Sequence, residues 1–296
     1  MRLYTASLCG EEAVYVSLDG GAGLYKLSDL GYPFKDMNEL ICTVTEEQMA
    51  AIKATDPVAL GAKAHALADL TLCAPIPKPL QDIVCLGINY ASHAEEAGRF
   101  SAEDFGGDRP YTIYFSKRVN RALGSGETIP EYADVTEKLD YESELGVIIG
   151  KDASKVSLAD APSYIFGYTI INDMTARDVQ HRHKQWYLGK SFDCFTPMGP
   201  CIVTPDEIGD PTDLDIKCCV NGQLRQSSNT SLMLQTVNGA IRELTAGMTL
   251  LKGSIIATGT PAGVGMGMEP PTFLKKGDRV VCEIENIGKL ETVIGE

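Results

Sequence analysis

The amino-acid sequence predicts an α+β chain, mostly β, with a small N-terminal α+β domain ahead of a larger C-terminal one. Three observations lead there. Short apolar runs recur along the chain and are closed by Gly, Asn or Asp, as strands are. An Asn-Gly pair at 221–222 joins two such runs, the strongest short signal for a two-residue hairpin. A proline-stiffened connector, Ala74-Pro75-Ile76-Pro77-Lys78-Pro79, separates residues 1–75 from residues 80–296.

Composition narrows the function. A chain of 296 residues, 44% hydrophobic, can bury a sizeable core. Its net charge of −14 argues against nucleic acid or an anionic membrane as partner. A small anionic substrate stays open, because a metal and a few cations reverse the sign locally. The nine cysteines show no C-x-x-C spacing, and Cys218 and Cys219 are adjacent; they read as reduced thiols in a cytoplasmic protein. No run of 18 apolar residues and no leader-like N-terminal segment occurs, so no membrane segment is expected.

In the N-terminal unit, residues 13–18 and 23–27 form strands around the turn Asp19-Gly20-Gly21. Thr45-Glu46-Glu47-Gln48 is a capping box that opens a helix to about Ala54. His65, in an Ala-rich stretch, is expected on a helical surface. No chemistry is indicated here.

The second unit begins with a buried strand at 81–87, stopped by Gly87. A short helix follows, with Asn89 or Ser92 as its cap and His93 and Glu96 as i, i+3 neighbours. A carboxylate there either orients an imidazole as a general base or forms a surface pair. Residues 98–110, rich in Gly and charge, read as a loop placed to act as a lid, or as an ordinary surface loop. Residues 112–117 are a strand whose terminal Lys117 either faces an anion or, as expected of one lysine, lies in solvent.

The chain turns on residues 139–150. Asp140, Glu142 and Glu144 alternate into the apolar run Leu145 to Ile149, so they share one face of a strand entering a buried region. Like charges there call for a divalent metal, unless the strand end fans into water or its acids pair with Arg and Lys. Residues 163–171 form a strand ending in Asn172-Asp173, and residues 175–180 are expected helical. Asp173 is then a third metal ligand or an N-cap. His181 and His183 fall on different helix faces and do not share a metal. Leu188-Gly189-Lys190-Ser191 lacks the first Gly of a phosphate loop, where Lys184 stands, which excludes nucleotide binding. After a turn at 195–200 come a strand at 201–204 and the hairpin at 216–226. Asn229 is expected to cap a helix with Leu234, Val237, Ile241 and Leu244 on one stripe. A strand at 254–258 leads to the Gly-rich turn 259–267, whose amides and Thr260 hydroxyl face an oxyanion or simply make a tight turn. Strands at 279–284 and 290–294 close the chain.

Together these elements contain G-x-N-Y-x-x-H-x-x-E, D-Y-E-x-E-L, N-D-x-x-A-R-D-x-Q, G-K-S-F-D, P-M-G-P, N-G and T-G-T-P-x-G-V-G in that order. Over residues 83–294 the chain closely resembles the fumarylacetoacetate hydrolase superfamily. The resemblance implies a mixed β-sandwich roll behind the small N-terminal domain, and usually a homodimer. It implies Mg²⁺, or Mn²⁺ or Ca²⁺, on Glu142, Glu144 and Asp173, and His93 with Glu96 as the base dyad. It makes Lys190 a catalytic cation, with Arg177, Gln180 and Thr260 around a 2-oxo acid substrate. The loop between His93 and Lys117 departs from many members by being longer, through Phe100 to Asp108. The leading expectation is hydrolysis of a C–C bond in an acylpyruvate or related 2,4-dioxo acid, leaving a pyruvate enolate. The alternative is an oxaloacetate tautomerase or decarboxylase, or an isomerase or dehydratase of a 2-oxo sugar acid. Residues 189–193 and 270–278 resemble the subgroup that includes oxaloacetate tautomerases. A binding protein without activity is the third reading.

Overall fold

A computed structural model describes residues 1–18, 23–57, 59, 61–101 and 110–295. The turn expected at 19–21 and most of the loop between Phe100 and Pro110 lie outside the described residues. In chain order the strands are β1 (Arg2–Leu8), β2 (Glu11–Ser17), β3 (Tyr25–Lys26), β4 (Thr71–Leu72), β5 (Ile83–Gly87), β6 (Ile113–Lys117), β7 (Thr128–Pro130), β8 (Leu139–Asp140), β9 (Ser143–Ile149), β10 (Ile165–Asn172), β11 (Thr175–Ala176), β12 (Met198–Val203), β13 (Asp215–Val220), β14 (Gln223–Asn229), β15 (Ile255–Ala257), β16 (Arg279–Ile284) and β17 (Gly288–Gly295). The helices are α1 (Met37–Thr43), α2 (Glu46–Lys53), α3 (Ala91–Phe100), α4 (Arg177–Arg182), α5 (Tyr187–Lys190), α6 (Pro205–Ile208) and α7 (Val237–Thr245).

The strands form a ten-stranded sheet, β3-β2-β1-β12-β10-β9-β15-β5-β6 with β4 on β1, a five-stranded sheet, β14-β13-β16-β17-β7, and a short β11-β8 pair. β5 with β15 and β7 with β17 are parallel; the other ladders are antiparallel. This is the mixed, mostly β sandwich that the sequence predicts. β9 and β10 run through its middle and are buried along their whole lengths. Strand alternation divides their side chains between two cores. Leu145, Val147 and Ile149 pack toward the five-stranded sheet with Ile216, Cys218, Val280 and Cys282. Ile148 and Ile171 pack on the other face with Leu3, Val14, Val16 and the α1 residues Leu40 and Ile41. The N-terminal strands thus continue the large sheet, with Arg2 opposite Val203 and Leu3 opposite Ile202. No helix among the described residues is long and apolar enough to cross a membrane.

Several local expectations are met. The Thr45–Gln48 capping box opens α2. At the β13–β14 turn Asn221 and Gly222 take φ of 52° and 78°, as a type I′ hairpin requires. Others are corrected. His65 is not on a helical surface: it exchanges backbone hydrogen bonds of 2.9 Å with Leu24 and lies buried, edge-on to Tyr15. Asn229 caps only the short turn Thr230–Leu232, while Thr236 caps α7 and Leu234 stays exposed. Neither Asn89 nor Ser92 caps α3, whose N-cap is Tyr90 with no side-chain bond. The Asn89 amide instead donates to the carbonyls of Gln235 at 2.9 Å and Thr258 at 2.8 Å, tying the start of α3 to the strand that ends at Ala257. Thr175 and Ala176 pair with β8, so the helix starts only at Arg177.

Candidate metal and active site

Glu142 and Glu144 sit two residues apart where the chain enters β9. The β9–β10 register sets Glu144 beside Ile171 and Ser143 beside Asn172. One step further, the Asp173 N–H donates to the Glu142 carbonyl at 2.8 Å. Strand pairing therefore delivers Asp173 to the two glutamates. The three residues are buried and offer one oxygen each, all within 4.8 Å of one another. Asp173 is no helix cap, since α4 begins four residues later behind Ala176.

Three buried cations face this acidic group. Lys190 Nζ lies 2.6 Å from Glu142 Oε2 and 2.7 Å from Asp173 Oδ2. Lys117 Nζ lies 2.7 Å from Asp173 Oδ1. Arg177 reaches Glu142 Oε1 at 2.7 Å through Nη2 and Asp140 Oδ2 at 2.8 Å through Nε. Burial pushes the Glu142 carboxyl up, but Lys190 and Arg177 outweigh it and hold the group down at about 2. Glu144 behaves oppositely. Burial, with Asp173 and Glu142 beside it, pushes it well above the usual carboxylate range. Among the described residues it has no ion-pair partner, only the Gly259 N–H, which donates to Oε2 at 2.8 Å. Hard oxygen donors with one uncompensated charge fit a divalent cation.

His93 and Glu96 face inward from α3. His93 Nδ1 lies 3.1 Å from Glu96 Oε2, both side chains being buried, and Glu96 Oε1 accepts from the Gly263 N–H at 3.0 Å. A carboxylate on Nδ1 makes that nitrogen the donor and leaves Nε2 as the basic one. The surface-pair reading of these residues is thereby corrected.

The Gly-rich segment after β15 is also not what its amides suggest. They receive anions, but the protein's own: Glu144 at Gly259, Glu96 at Gly263, and Asp140 at Gly265 (2.6 Å) and Met266 (3.0 Å). The Thr260 hydroxyl donates to the Ser143 carbonyl at 3.0 Å and accepts from Gln226 at 2.7 Å. Close packing explains the glycines. A side chain at Gly267 would run into the Glu96 carboxylate. Gly267→Ala is therefore expected to displace the dyad and to lower turnover about 100-fold, the scale of a 1 Å misplacement. The rise in melting temperature caused by added metal should persist, which thermal scans with and without Mg²⁺ will check.

Arg177 completes the arrangement by donating through Nη1 to Gln180 Oε1 at 3.3 Å, so the Gln180 amide NH₂ is left for other acceptors. His93, Glu142, Glu144, Arg177, Gln180, Lys190 and Thr260 line one cavity, roofed by Ile88, Phe115, Trp186 and Met266. Asp173 and Glu96 stand one contact behind. All nine residues singled out in the sequence thus converge. Two others belong with them. Lys117, expected in solvent, is fully buried and also donates to the carbonyls of Met174 (3.1 Å) and Lys190 (2.5 Å). Asp140, the first acid of the alternating run, joins Arg177 to the Gly-rich segment.

The fumarylacetoacetate (FAA) hydrolase C-terminal family model matches residues 82–295. The chain belongs to that family. Similarity to individual members is close. The chain is 45% identical over 237 residues to oxaloacetate tautomerase YisK of Bacillus subtilis (strain 168), covering 80% of this chain and 77% of that protein. Among solved family structures, the fumarylacetoacetate hydrolase of the psychrophile Exiguobacterium antarcticum superposes with a TM-score of 0.86 at 37% identity, over 100% of this chain and 99% of that one. The maleylpyruvate hydrolase of Sphingobium sp. SYK-6, in complex with manganese(II) ion and pyruvate, superposes with a TM-score of 0.78 at 30% identity over 100% of both chains.

Proposed function

We propose that this family member is a divalent-metal-dependent tautomerase, interconverting the keto and enol forms of oxaloacetate or a closely similar short 2-oxo dicarboxylic acid. The observation that carries the reading is the cavity itself. One oriented imidazole and a metal-ready carboxylate set share a small space under an apolar roof. Enolisation needs only a base and charge stabilisation, both of which these residues offer, whereas hydrolysis also needs a placed water. The identity to the B. subtilis tautomerase supports the same choice. The alternative drawn from the sequence is thus better supported than the hydrolytic expectation.

Glu142, Glu144 and Asp173 would hold the cation. When bound, it supplies Lewis acidity toward a 2-oxo acid. His93, fixed through Nδ1 by Glu96, takes the C3 proton at Nε2; the electron pair moves into a C2–C3 double bond and the C2 oxygen becomes an oxyanion. The Lys190 ammonium and the Gln180 amide stabilise that oxyanion. Return of the proton to oxygen gives the enol, so nothing is added or lost. Arg177 positions both Glu142 and Gln180. Lys117 neutralises Asp173 from below.

The test is to mix purified protein with freshly dissolved oxaloacetate and Mg²⁺ and follow enol absorbance and CO₂. Accelerated keto–enol exchange without matching CO₂ release, abolished by EDTA, supports the proposal. Release of CO₂ at the rate of enol loss would make the protein a decarboxylase instead. The likeness to the E. antarcticum and Sphingobium hydrolases favours a second reading, C–C cleavage of an acylpyruvate. Pyruvate and a carboxylic acid formed from acetylpyruvate faster than oxaloacetate tautomerises would establish it.

A further inference from the structure

We infer that Trp186, braced against Gly87, sets the length of 2-oxo acid the cavity accepts; the inference rests on the proposed placement of substrate beside the acidic triad. Contacts run without a break from the carboxylates to this ring. Lys190 Nζ, in contact with Glu142 and Asp173, lies 5.3 Å from the centroid of Phe115. The Phe115 ring meets the Trp186 ring edge-on at 5.2 Å and 65°. Behind Trp186 stands the backbone of Gly87: a methyl group there would overlap the indole, with Cη2 2.8 Å away, and would press on Ile113 at 3.1 Å. Gly87 is thus required for the indole to lie where it does. The indole in turn has no room to retreat toward β5.

The chemistry of the roof matters as much as its position. Among the residues that line the cavity, every charge belongs to the carboxylate and cation cluster or to the dyad, whereas Ile88, Phe115, Trp186 and Met266 are apolar. On this inference, an aromatic surface one ring away from Lys190 would admit a compact dianion more readily than an extended acyl chain. Single methylene groups in such pockets change affinity by roughly 10–200-fold when they cannot be housed. The wall would therefore restrict the enzyme to short 2-oxo acids through steric exclusion, with no contact to the reacting atoms.

Calorimetric binding in Mg²⁺ tests this apart from turnover, using oxalate as the short probe and 2-oxooctanoate as the long one. Wild-type protein should bind oxalate and discriminate against the long acid by about 100-fold or more. Trp186→Ala should tighten 2-oxooctanoate at least about tenfold while oxalate stays within about threefold; Trp186→Phe, which preserves most of the packing, should shift in the same direction by less. Equal changes for both acids, or wild-type protein that binds both alike, would overturn the inference. Should Trp186→Ala fail to fold, the Phe variant decides. A selectivity shift in protein that leaves oxaloacetate keto–enol exchange at its uncatalysed rate would refute the tautomerase reading and leave this one standing.

Discussion

Glu144→Gln is expected to abolish the rise in melting temperature on adding Mg²⁺ and to lower turnover about a thousandfold or more. A metal's charge stabilisation is worth several kcal/mol, and about 4 kcal/mol is a factor of roughly a thousand in rate. Glutamine preserves the shape and the acceptor for the Gly259 N–H but removes the charge that nothing else in the cluster balances. The metal-free protein should behave in the opposite way. Burial and the neighbouring Asp173 and Glu142 raise the Glu144 carboxyl above its value in an unfolded chain. A carboxyl raised on folding binds more protons in the native state, so its contribution is present at low pH and fades as pH rises through the raised value. Without metal, wild-type stability should decline as pH climbs above the ordinary carboxylate range, and Glu144→Gln should flatten that decline. Urea melts in EDTA across that range check the sign. A variant that still gains stability from Mg²⁺ would remove Glu144 from the metal site.

The second large effect belongs to His93→Ala. Loss of a positioned general base costs about 10²–10⁴ in rate. The substitution leaves Glu96 anchored on the Gly263 amide at 3.0 Å and does not touch the triad, so the fold and the metal-induced stabilisation should both survive. Activity, a Mg²⁺ titration by melting temperature and circular dichroism on one preparation are sufficient. Wild-type rates from this variant would show that another group moves the proton.

Much of this site is legible in the sequence. The triad and the dyad announce themselves locally. Glu142 and Glu144 are two apart where the chain enters a strand, and His93 and Glu96 are three apart on a helix; both spacings favour side chains on one face. Asp173 was visible only as an acid at a strand end, and its arrival beside Glu142 depends on the β9–β10 register. Lys117 carries only a weak mark, a cation at a strand end that could face an anion. Its partner Asp173 lies far along the chain, and a single lysine at the end of a strand reads as solvated. The same limit hid the direction of the Gly-rich amides: the pattern tells that anions are received, not that they are Asp140, Glu96 and Glu144. His65 was misplaced because alanines suggested a helix, while its true constraint is a backbone bridge to Leu24. Where periodicity and short spacing rule, the sequence sufficed; where long-range pairing decides, it did not.

The bond from the Gly263 amide to Glu96 joins residues 167 positions apart. On a ribosome adding about 5–20 residues per second, α3 waits on the order of ten to thirty seconds before its anchor is synthesised. During that interval the nascent chain can pair β9 with β10, but it lacks β16 and β17 to cover one face of them and cannot seat its imidazole. Competence therefore arrives late in synthesis, and fragments ending before the 259–267 segment should be catalytically silent even where they collapse.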